Sequence, residues 1–182
     1  MLRLAKYVIV VALLVLWEVI PGTGTQALRP GTEVFAVEPG RVIEVTYRTP
    51  GIMLIAHRWL LPDRFTLIFL EKHRNPVTCL AGQRFNLVLN QLTSLKLHRV
   101  LEAREAKDLF QKNPLSSWAE VVVRDDTALE PFRALLLPVP GAANEAFVHF
   151  DDFTYVVGFR EQVFQLLSSG CKSLAATSAH QE

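Results

Sequence analysis

Apolar and polar positions cluster along this chain in patterns that divide it into distinct pieces. Residues 7–17 (YVIVVALLVLW) are uninterrupted apolar sequence, with none of the polar face a buried core helix usually keeps. Residues 21–31 (PGTGTQALRPG) break every period with glycine, proline and threonine and read as a linker. Residues 33–37 predict a short strand ended by the turn signal Glu38-Pro39-Gly40. Over residues 41–48 the alternation is clean: Ile43, Val45 and Tyr47 fall on one face and Glu44, Thr46 and Arg48 on the other. That is the period of a half-buried strand. Thr49-Pro50-Gly51 turns the chain, and residues 52–59 and 65–70 predict two more strands joined across Pro62-Asp63. The expected product is an antiparallel meander.

The period then changes. Phe85, Val88, Leu89, Leu92 and Leu95 recur at steps of three and four, which predicts a helix packing one face on a sheet. Residues 97–103 predict a strand, and 105–112 a short helix stopped by Asn113-Pro114. Residues 118–124 (WAEVVVR) and 132–138 predict strands, with Asp125-Asp126 as a turn. Residues 147–157 predict further strand, with Asp151-Asp152 at a hairpin corner. Residues 160–167 predict a closing helix, with Val163, Phe164 and Leu167 on one face. The division is 1–20 membrane anchor or signal segment, 21–31 linker, 32–168 one domain, and 169–182 disordered tail. The fold class expected is α+β: one extracytoplasmic domain of mainly antiparallel sheet with packed helices, behind an N-terminal transmembrane helix.

The N-terminal segment sets the compartment. Arg3 and Lys6 precede its apolar run, an arrangement that leaves the N-terminus inside and carries the remainder out of the cytoplasm. As an anchor, the segment from Leu2 to Ile20 approaches the roughly 20 residues a span needs. Lys6 would then snorkel to one interface, while Trp17 and Glu18 mark the other. As a signal peptide it offers Thr25-Gln26-Ala27 as a small-x-small cleavage site, giving a secreted or periplasmic domain. An oxidising compartment would let Cys79 and Cys171 pair across a long loop, worth roughly 3–5 kcal/mol in the chain-entropy view.

Composition narrows the partners. Basic and acidic residues number 19 and 18, a net charge of +1, so no charge field draws the chain to nucleic acid. Catalytic constellations are missing: no GxSxG, P-loop, HExxH or CxxC stands in the sequence, and no two histidines have the spacing of a helical metal pair. We therefore expect no enzyme activity, no cofactor and no bound metal. The strongest local cluster is His149-Phe150-Asp151-Asp152, where His149 and Asp151 would share a strand face. The plainer reading is an Asp-rich hairpin turn. Arg58, Trp59 and Trp118 are the candidate contact residues, since Arg and Trp are enriched in binding hot spots. Trp59, Trp118 and Tyr155 would be the exposed aromatics of a ligand-binding module, and the plainer reading of each is a core residue. A second candidate contact surface is the apolar stretch 132–139, whose Pro138 suits a sheet edge.

The element order carries a resemblance. VFAVEPGRVIEVTY leads into a meander, and FNLVLNQLTSLKLHRVLEA forms a helix-strand unit. A Pro-stopped short helix, WAEVVVRD and FVHFDDFTYVVGFREQVFQLL follow. This order resembles an uncharacterised bacterial family of membrane-anchored α+β domains found beside auxiliary components of gliding-motility-type ABC transporters. The chain departs from that family in lacking a glycine-leucine pair where Asn113-Pro114-Leu115 stands. The resemblance implies a non-catalytic accessory or assembly subunit of a larger membrane complex, with protein partners and no catalytic residues to carry over. The alternative is a secreted or anchored module that binds a cell-envelope glycan or peptide.

Overall fold

The computed structural model describes residues 29–58 and 64–176. The apolar segment 1–20 and Trp59 lie outside these residues. Among the described residues no helix is long and apolar enough to cross a membrane.

Ten strands form one sheet in which every neighbouring pair is antiparallel. In chain order they are β1 (Glu33–Ala36), β2 (Val42–Arg48), β3 (Ile52–His57), β4 (Thr66–Glu71) and β5 (Val77–Leu80). These are followed by β6 (Ser94–Val100), β7 (Ala119–Asp125), β8 (Phe132–Pro138), β9 (Glu145–Phe150) and β10 (Phe153–Gly158). Four helices complete the fold: α1 (Gln83–Thr93), α2 (Ala103–Lys112), α3 (Glu161–Ser169) and α4 (Cys171–Leu174). The sheet order is β1-β6-β10-β9-β8-β7-β2-β3-β4-β5.

That order forces the sheet to curl. In a flat sheet β1 and β2, six positions apart in the order, would lie about 29 Å from one another at about 4.8 Å per strand. The chain from Ala36 to Val42 can span at most about 22 Å. The edge must therefore bend back toward the middle. The rings of Phe35 on β1 and Phe132 on β8 show the result, stacking with centroids 3.7 Å apart although three strands separate β1 from β8.

The core fills the inside of this curl. Val45 and Tyr47, Leu54 and Ala56, Leu67 and Phe69, Val121 and Val123, and Val148 and Val157 point inward from their strands. Helix α1 contributes Phe85, Val88, Leu89 and Leu92, spaced as the sequence period requires. Helix α3 adds Val163, Phe164, Leu166 and Leu167. Helices α1, α3 and α4 pack on one another and touch strands of both wings, β6 on one side and β3, β4 and β5 on the other. They close the open side of the sheet.

Three local devices shape the strands. A bulge at Ile43 sets two residues of β2 against one of β7, which turns Val42 inward beside Val45 and Tyr47. The expected alternation put Ile43 on that face. Asp151 and Asp152 both adopt positive φ (47° and 64°) at the β9–β10 corner, a conformation that short polar side chains tolerate in two-residue hairpin turns. Helix α2 starts with a capping box: Glu102 bonds the third helical N–H while the Glu105 side chain accepts from the Glu102 N–H.

Two expectations need correction. The chain after Ser168 is ordered through Ala176: Cys171 and Leu174 are buried, Cys171 is bonded to Cys79, and Ala175 bridges to Ala81. Its polar appearance in sequence comes from Ser168, Ser169, Lys172 and Ser173, which face outward or stay half-buried while the apolar minority anchors it. Strand β8 is not an edge. It lies between β7 and β9, and its proline is its last residue, where the missing N–H interrupts no central ladder bond. The edges are β1 and β5.

Candidate functional site

The residues singled out in the sequence are scattered over the fold. His149 faces away from the core on β9 and pairs with Thr154 across the hairpin, its Nδ1 lying 3.2 Å from the threonine hydroxyl. Its ring meets Phe110 of α2 edge-on at 5.4 Å. Asp151 sits exposed in the turn. The strand does not align the two as an acid-base pair, because the chain has already turned at Asp151. Trp118 is buried on the same outer face, its indole N–H donating to the Asn113 carbonyl at 3.0 Å and its ring 5.7 Å from Phe110. Tyr155 is buried too. Neither is an exposed aromatic that could stack on a ligand, because α2 and its flanking loop cover Trp118 and the core holds Tyr155. Among the described residues no three His, Cys, Asp or Glu side chains converge as a metal site.

Arg58 is placed quite differently. It follows β3 and reaches back to the turn before β2, donating to the Gly40 carbonyl at 2.7 Å and the Pro39 carbonyl at 3.0 Å. Its guanidinium lies 4.3 Å over the Phe65 ring. It thus locks the β1–β2 connection that the curl depends on. It also forms one wall of a groove of about 1070 Å³ between the start of α1, the start of β4 and helix α4. Arg64, Arg84 and Lys172 bring the cations lining this groove to four among the described residues, beside the polar side chains of Gln83 and Asn86.

Two features build this groove. The Cys79–Cys171 bond, with Cα atoms 5.9 Å apart, fastens α4 to edge strand β5 and so keeps Lys172 in the lining of the groove. Backbone bonds extend the attachment: Gly82 N–H donates to Leu174 at 2.7 Å and Ala176 N–H to Leu80 at 2.8 Å. Gly82 itself has no room for a side chain, since a Cβ would stand 2.6 Å from the Ala175 carbonyl oxygen. Among the described residues, no carboxylate lines the groove, and Arg64, Arg84 and Lys172 enter no ion pair. Arg84 stands in the first turn of α1, which carries no acidic residue there. A cation at that end is opposed by the helix dipole.

A second groove, of about 680 Å³, runs between α1, α3 and strand β6. Asn90, Asn144, Gln162, Lys96 and Arg160 line it. A bulge at His98, which has no partner between Arg99↔Val156 and Leu97↔Val157, aims that imidazole at Glu145, 2.9 Å away. Neither groove was visible in the sequence. Each joins a helix segment to residues from other parts of the chain, with no spacing that would have grouped them.

No protein-family model matches this chain, and no curated protein and no solved structure matches it either.

Proposed function

We propose that this chain is a non-catalytic accessory or assembly subunit held on the extracytoplasmic face of a bacterial membrane. The observation that carries this reading is the bond between Cys79 and Cys171. Stable disulfides belong to oxidising compartments, and a cytosolic thiol pool would keep such a pair reduced. The basic residues ahead of the apolar segment point the same way. The element order, with its resemblance to membrane-anchored domains beside transporter auxiliary components, supports the choice of an accessory role. Against an enzyme stand the placement of His149 on Thr154 and of Asp151 in a turn.

A second reading, an anchored module for an envelope glycan or peptide, is favoured by one feature. The groove between α1, α3 and β6 presents four amide side chains, Asn90, Gln91, Asn144 and Gln162, and two cations on a polar wall. Such groups orient ligands by hydrogen bonding.

The compartment is tested by thiol trapping. Cells expressing the full chain are quenched in acid, and free thiols are then tagged with a maleimide polymer under denaturing conditions. Both cysteines should stay untagged without reductant and take two tags after it. Two tags without reductant would remove the basis for an extracytoplasmic domain.

A further inference from the structure

We infer that the groove formed by Arg58, Arg64, Arg84 and Lys172 is a binding site for a phosphate-bearing anion. The site goes beyond the assembly reading and stands without it. The four cations come from separate elements: the end of β3, the approach to β4, the first turn of α1, and α4. Independent surface lysines and arginines are ordinarily interspersed with acids, and this chain has nearly equal numbers of each. Here the described lining holds no acid at all. Elsewhere among the described residues four cations do pair with acids, Arg41 with Asp126, Arg74 with Glu71, Arg99 with Glu105 and Arg133 with Glu120, while others, such as Lys96 and Arg104, stand singly on the surface; what sets the groove apart is that four cations share one lining. Among the described residues, the groove thus gathers four cations with no acid in its lining.

The roles divide by geometry. Arg58 spends its terminal nitrogens on the Gly40 and Pro39 carbonyls and contributes fixed charge. Arg64, Arg84 and Lys172 are exposed and have their donors available. Two guanidiniums can engage phosphate oxygens in the paired, planar manner that carboxylate or phosphate recognition favours, and the ammonium adds a point charge. At about 1070 Å³ the groove is larger than one inorganic phosphate requires, so it suits a phosphate carried on a longer body. The same chemistry is offered by a phospholipid headgroup beneath a membrane-anchored domain or by a soluble phosphoryl compound. The disulfide matters to the site because it holds Lys172 on the groove wall.

The test is calorimetric titration of the full-length protein in neutral detergent micelles at low salt. Three probes are used: pyrophosphate, short-chain phosphatidylglycerol and short-chain phosphatidylcholine. The double variant Arg64→Gln/Arg84→Gln and the single variant Lys172→Gln are run beside the parent. All three positions are exposed, so melting temperatures should stay at the parent value. Binding of pyrophosphate, phosphatidylglycerol or both is the expected result, with affinity falling about tenfold or more in the double variant and falling with added salt. Binding of pyrophosphate alone identifies a soluble phosphoryl ligand; binding of phosphatidylglycerol alone identifies a headgroup. No heat with either anion, equal binding of phosphatidylcholine, or unchanged affinity in both variants would overturn the proposal. None of these outcomes depends on a protein partner, so this site and the assembly reading fail separately.

Discussion

At the scale of single residues, Gly170 and Tyr47 bear most directly on how the end of the chain is held. Gly170 joins α3 to α4 at φ 54° and ψ −133°, a backbone conformation open chiefly to glycine. A Cβ there would stand 2.2 Å from Cδ2 of the Phe69 ring. Gly170→Ala combines backbone strain with a clash against a buried ring, and should cost roughly 2–4 kcal/mol. Urea titration checks this through a lower midpoint at unchanged slope; an unshifted midpoint would mean that α4 is not held as described. Tyr47 is buried on β2, and burial pushes its phenol pKa up, while a hydrogen bond with the Ser168 side chain pulls it part of the way back. A pKa raised on folding gives stability that is complete below the unfolded value near 10 and is lost as pH rises through the folded value. Thermal stability should therefore fall from about pH 10 upward, and Tyr47→Phe should flatten that alkaline decline. An equally steep decline in the variant would assign the effect to other groups, of which Tyr155, also raised by burial, is the first to consider.

At the scale of elements, the sequence was readable wherever a segment carries its own period. The strands β2, β3, β4, β7 and β8 and the helices α1 and α3 follow alternations or three-four spacings that their burial matches, except that α1 ends at Thr93 and Leu95, expected on its apolar face, belongs to β6 (Ser94–Val100) instead of the strand expected at 97–103. The Asp151-Asp152 corner was readable because two adjacent Asp residues favour a turn that needs positive φ twice. Strand β5 was not. Its four residues, Val77, Thr78, Cys79 and Leu80, have no alternation of their own, and it is a strand because β4 offers it an edge to pair with. Helix α4 has no signal of its own in the sequence for a similar reason. Two buried residues and one covalent bond fix it, and neither the partner cysteine nor the receiving surface lies nearby in sequence. The bond closes a separation of 92 residues, which in the chain-entropy view is worth roughly 4–5 kcal/mol. That is enough to hold a helix too short to be stable alone.

At the scale of the whole molecule, long-range pairing decides what local pattern cannot. Placing β6 between β1 and β10 sends the first strand to one edge of the sheet, and a five-residue connection then forces the curl. The curl creates an inner face that three helices must close, and the grooves lie along the seams of that closure. Their lining was therefore illegible in sequence: Lys172 joins Arg58, Arg64 and Arg84 only because the closing helix α4 packs back on β5 and α1. The same closure depends on a disulfide, which ties the proposed compartment to the integrity of the fold. The most direct test of the central claim is purification of the tagged full-length chain from native membranes in mild detergent. Mass spectrometry then reads both the co-purifying proteins and the chain's own N-terminus. The account predicts a stoichiometric set of membrane proteins with residues 1–20 retained. A soluble, solitary protein beginning near Leu28 would contradict it.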